Sequence, residues 1–109
     1  MKLTVAIVFA LVLIGSACSQ SASSGDSPRD VAAARAMFEE NKCATCHGQK
    51  GEGGVGPNLK SPIIMTRTVQ QIENQITNGS GVMPSFKGTL TREQIHELAT
   101  FVYKEIQGR

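Results

Sequence analysis

Five consecutive residues constrain this chain more than any others: Cys43-Ala44-Thr45-Cys46-His47. Two thiols three positions apart, followed at once by an imidazole, form the C-x-x-C-H pattern of c-type haem attachment. The spacing has a chemical reason. Two such thiols can add to the two vinyl groups on one porphyrin edge, and the next residue is carried under the ring to ligate iron. A bare C-x-x-C pair also occurs in dithiol redox sites and in zinc sites. Here no strand pattern precedes the motif, as a thioredoxin-like site would require, and no second pair completes a four-ligand zinc site.

The chain holds three cysteines, so Cys18 is left over. It follows Met1-Lys2, an apolar run from Leu3 to Ile14, and the small residues Gly15-Ser16-Ala17. A positive start, a short apolar stretch and small residues at its end make a secretory signal over residues 1–17. The run is too short for a transmembrane helix, which needs roughly 20 apolar residues. A helix packed into the fold is the competing reading, but the serine-rich segment that follows offers it no partner surface. Cys18 then resembles the lipidated first residue of a bacterial lipoprotein, although Gly15 stands where such signals usually carry a large aliphatic residue. Cleavage after Ala17 with Cys18 as a free thiol is the alternative. Residues 18–28 read as a flexible tether reaching about 15–20 Å, and residues 29–109 as the folded domain.

Without the leader, ten basic residues face nine acidic ones, and no basic patch interleaved with aromatics appears. Nucleic acid is therefore not an expected partner. A folded part of about 80 residues without tryptophan has a thin core, and such domains need a staple, a metal or a cofactor.

The pattern of apolar residues is helical. Ser27-Pro28 opens an alanine-rich stretch from Val31 to Glu40 that runs into Cys43. Five glycines and two prolines between Gly48 and Pro62 predict an irregular loop. Thr68 with Gln71 and Thr91 with Gln94 are capping boxes, and Leu90 with Ile95 makes a hydrophobic staple. Ile95, Leu98, Ala99, Val102 and Ile106 recur at helical spacing. No strand pattern or internal repeat appears.

Downstream lies Gly79-Ser80-Gly81-Val82-Met83-Pro84-Ser85-Phe86. Together with the C-x-x-C-H motif and Gly56-Pro57-Asn58-Leu59, this segment resembles the class I bacterial c-type cytochromes, in particular the small monohaem lipoprotein type of Bacillus-like bacteria. The resemblance implies an all-α small cytochrome c fold, with three to four helices and glycine-rich loops around one covalent haem c. It implies haem attachment through Cys43 and Cys46, His47 and Met83 as axial iron ligands, and a bond from His47 to the Pro57 carbonyl. Leu59 and Phe86 would pack near the haem, and Ala34 and Phe38 would meet Phe101 where the first and last helices cross. The implied function is electron transfer by a monomer that is not an enzyme. Its expected partners are proteins such as a quinol–cytochrome c reductase and a terminal oxidase. The expected location is the outer face of the cytoplasmic membrane, held by the lipid, or else the soluble periplasm.

Other candidates have plainer readings. Met37 and Met65 read as core filler. His96, within the last helix, reads as solvent-exposed rather than as a substitute sixth ligand. Arg67, Lys60 and Lys87 could reach haem propionates, and the sequence does not choose among them. A haem sensor or peroxidase-like enzyme is the alternative function. It would need an open iron position through a labile Met83.

Overall fold

An alanine-rich run with a single β-branched residue favours helix. The computed structural model, which describes residues 28–109, places α1 over Pro28–Glu40. The leader, Cys18 and most of the tether lie outside the described residues. Helix α1 buries Ala34 and Phe38 and leaves Arg35, Glu39 and Glu40 exposed.

Contrary to expectation, α1 does not run on into the cysteine motif. The Asn41 backbone N–H and side-chain amide both donate to the Met37 carbonyl, at 3.1 and 2.8 Å. Lys42 then takes a left-handed conformation with φ of 64°, a state that non-glycine residues enter rarely. The turn releases the motif from α1 and sets it on its own short helix, α2, Cys43–His47. A second short helix, α3, Pro62–Met65, begins at a proline, which suits a first helical position.

Helices α4 (Val69–Asn78) and α5 (Arg92–Phe101) both start at the expected capping boxes. The Gln71 N–H donates to Thr68 Oγ1 at 3.3 Å, and Gln71 Oε1 accepts from the Thr68 N–H at 2.9 Å. The same exchange joins Thr91 and Gln94 at 3.2 and 2.9 Å. Past Phe101 the helix continues as a π turn over Val102–Ile106. Its wider ring is closed by the Gln107 N–H donating to the Val102 carbonyl at 2.9 Å.

Helix α5 lies against both α1 and α4. Ile95, Leu98, Ala99, Phe101, Val102 and Ile106 are all buried, together with Ile72 and Ile76 of α4. At the α1–α5 crossing the Phe38 and Phe101 rings sit 5.7 Å apart at 54°, within the range of favourable aromatic pairs. Met37 and Leu90 pack against this core, and Met65 is half-buried on α3. The described residues contain no strand, only a single bridge between Ser80 and Met83. The fold is all-α, with three long helices and two short ones.

Candidate haem site

The three long helices leave a cavity of about 320 Å³ between the loop after α2 and the loop after α4. Phe38, Ile72, Ile76, Leu98 and Val102 form its apolar back wall. Cys43, Cys46 and His47, from α2, line it together with Met83, Pro84 and Phe86, from the loop after α4. Pro57 and Leu59 close the edge. Cys43, Cys46, His47, Pro57, Leu59, Met83 and Phe86 are thus brought to one cavity. Burial pushes the Cys43 thiol up to about 11, as expected of a group facing an apolar space.

The loop following α2 owes its path to its glycines. Gly51 is buried at φ 71°, and a Cβ there would stand 2.5 Å from Ile106 Cγ2. Only glycine lets this loop rest on the π turn. The Gly51 carbonyl accepts from the Leu59 N–H at 2.8 Å, and Gln107 Nε2 donates to the Leu59 carbonyl at 2.9 Å. Thus the π turn ends in a buried amide that holds the loop. Within the loop, the Gly56 N–H donates to the Cys46 carbonyl at 2.8 Å. The chain there passes under His47, whose Nδ1 donates to the Pro57 carbonyl at 2.9 Å. A carbonyl only accepts, so Nδ1 carries a proton, and in the neutral imidazole Nε2 keeps its lone pair.

The opposite loop is tied to the end of α4. Ser85 Oγ donates to the Thr77 carbonyl at 2.7 Å, and the Phe86 N–H to the Ile76 carbonyl at 3.1 Å. These carbonyls belong to the last turn of α4, which has no intrahelical partners for them. Gly79, at φ 65°, permits the reversal, since a Cβ there would lie 2.4 Å from the Met83 carbonyl oxygen. Ser80 and Met83 exchange backbone hydrogen bonds at 3.1 and 2.9 Å. Gln75 Nε2 donates to Ser80 Oγ at 2.8 Å and faces Met83 Sδ at 3.8 Å.

Some residues sort themselves only here. His96 is exposed on the other side of α5, its Nδ1 2.5 Å from Glu73 Oε1, and does not line the cavity. Of Arg67, Lys60 and Lys87, Arg67 lines it. Gln75 and Gln107 were not foreseen. Gln75 lies half-buried on α4 and Gln107 just past the π turn, and no motif in the sequence marks either.

The cavity fits a haem. Its lining offers two thiols, an imidazole, a soft thioether sulfur and apolar walls. These features define a c-type haem protein with a single attachment motif.

Comparison with known proteins gives the same class. The family described as cytochrome c oxidase, cbb3-type, subunit III matches residues 29–102. Cytochrome c6 of Leptolyngbya boryana is 39% identical over 77 residues, covering 67% of this chain and 89% of that protein. Cytochrome c6 of Gloeothece citriformis is 30% identical over 110 residues, 97% of this chain and 96% of that protein. Cytochrome c6 of a Nostoc species is 35% identical over 100 residues, 87% and 89% of the two chains. The chain belongs to the class I c-type cytochromes. It is a monohaem electron-transfer protein rather than an enzyme, and it carries haem c bound covalently through Cys43 and Cys46. It works with redox partner proteins. Among the described residues no helix is long and apolar enough to cross a membrane.

Proposed function

We propose that this cytochrome shuttles one electron between membrane redox complexes, and that His47 and Met83 would both hold the haem iron throughout the cycle. The bound haem supplies the Fe(III)/Fe(II) couple, and the protein's own residues do the rest. The observation that carries the reading is the pair of constraints across the cavity. His47 is oriented through Nδ1 by the Pro57 carbonyl, leaving Nε2 for the metal, and Met83 is held on the opposing loop by its bonds to Ser80. A hydrogen bond of the first kind fixes a ligating imidazole and raises its basicity. Thioether sulfur favours the ferrous state and raises the potential. Leu59 and Phe86 help exclude water from the site.

Val55 and Val82 are 79% and 86% exposed and both line the cavity mouth. An uncovered apolar rim of this kind supports contact with a partner at the haem edge. A quinol–cytochrome c reductase as donor and a terminal oxidase as acceptor fit a carrier of this type. The leader over residues 1–17 supports export. Lipidation of Cys18 would hold the domain at the outer face of the cytoplasmic membrane, with residues 18–28 as tether. Labelled fatty acid should enter the native chain and not C18S.

The visible spectrum of the matured protein tests the site. A low-spin covalent haem should show the ferric iron–methionine charge-transfer band, lost in M83A, and in the reduced native protein a spectrum unaltered by carbon monoxide. Ready carbon monoxide binding without that band would instead mean an open sixth position and a sensor or peroxidase.

A further inference from the structure

Gln75 Nε2 lies in hydrogen-bonding contact with Met83 Sδ, at 3.8 Å. An amide presents a donor on one side and an acceptor on the other, and its two orientations are nearly isosteric. Facing Met83 with its oxygen, it would set two electron-rich atoms against each other. Facing Met83 with its nitrogen, it donates. Something must choose between the two.

We propose that Arg67 is a positioning residue that makes this choice and so holds the sixth ligand in place. Arg67 Nη1 donates to Gln75 Oε1 at 3.1 Å. A guanidinium has five donors and no acceptor, so only the oxygen of Gln75 can face it. The nitrogen is thereby turned to Ser80 Oγ at 2.8 Å and to Met83 Sδ at 3.8 Å. Ser80 in turn exchanges both backbone bonds with Met83. Arg67 is itself fixed from outside the cavity. Its carbonyl accepts from Arg109 Nη1 at 3.0 Å, and the Arg109 guanidinium lies 4.3 Å from the centre of the Tyr103 ring. The relay thus runs from the end of the last helix through Arg67 and Gln75 to the sulfur. The inference rests on the reading of Met83 as iron ligand.

The test is a double-mutant cycle on the holoprotein with R67M, Q75L and the double variant. Imidazole is titrated against the ferric protein, and displacement of Met83 is followed by loss of the iron–methionine charge-transfer band. R67M should bind imidazole about five-fold more tightly, the effect of losing roughly one net hydrogen bond. In the Q75L background the same change should do nothing, because the amide through which Arg67 acts is gone. An equal effect in both backgrounds would mean that Arg67 acts directly on the haem or its propionates, and no effect in either would mean that it does not hold Met83; each overturns the proposal. Should R67M fail to take up haem, R67Q carries the same cycle, since it can donate or accept and leaves the amide free to flip. Absence of the band in the native protein would sink the Met83 reading itself, a result distinguishable from both.

Discussion

His47 and Pro57 face each other across the loop that follows the haem motif, with Nδ1 of the one 2.9 Å from the carbonyl oxygen of the other. The acceptor is a backbone atom, so no side-chain exchange at Pro57 removes it. What can be changed is the space around it.

Gly56 supplies that space. A Cβ at this position would stand 2.9 Å from His47 Cε1 and 3.0 Å from Nδ1, so G56A must push the ring or the loop. Overpacking of this kind costs about 1–3 kcal/mol. We expect G56A to lower the denaturant midpoint and to shift the paramagnetic NMR resonances of the His47 ring. A variant matching the native protein in both would show that the close approach is not needed.

The two capping threonines offer a cleaner measurement, because both are exposed and bury little. T68A and T91A each remove a side-chain acceptor from a helix N-terminus, a loss of about 1 kcal/mol. Serine at either position should restore most of it. Equilibrium unfolding of the haem-loaded protein checks this, and an alanine variant with unchanged stability would contradict it.

Ala34 lies 4% exposed beside the Phe38–Phe101 pair. A34L should force the α1–α5 crossing apart and cost about 1–3 kcal/mol by overpacking. The altered ring pair should also show in the aromatic NOE pattern. Retained stability with an unchanged pattern would mean that the crossing has room to spare.

Glu52 gives a pH dependence. Its carboxylate sits below the ordinary value of 4.5, first because its own backbone N–H stabilises the charge and then because that of Lys50 does. The Lys50 N–H donates to Glu52 Oε2 at 2.8 Å. A carboxyl whose folded pKa is depressed adds stability above its unfolded pKa, and that stability is lost as pH falls through the folded value. Urea midpoints measured from neutral pH down through the carboxylate range should therefore fall less steeply in E52Q than in the native protein. Parallel curves would exclude the effect.

Much of the fold was legible in sequence because local chemistry and tertiary structure agree there. Both capping boxes, the stop at Gly79 and the buried face of α5 follow from residues within a turn or two of each other. The break between α1 and α2 was not legible. Asn41 and Lys42 are acceptable helix residues, and nothing local announces that Lys42 turns left-handed. The π turn after Phe101 was hidden for a similar reason, since Val102 and Ile106 fit an ordinary helical repeat.

By itself the sequence determined the chemistry of the site. C-x-x-C-H is a local covalent requirement, and Met83 stands in a short segment named by its resemblance to a family's loop, so both could be singled out without a fold. Only the tertiary structure decided which side chains support them. Gln107 reaches a carbonyl 48 positions away, and the Phe38 and Phe101 rings meet across two helices. Such partners are chosen by where the helices cross, and packing at that distance leaves no periodic mark on the chain.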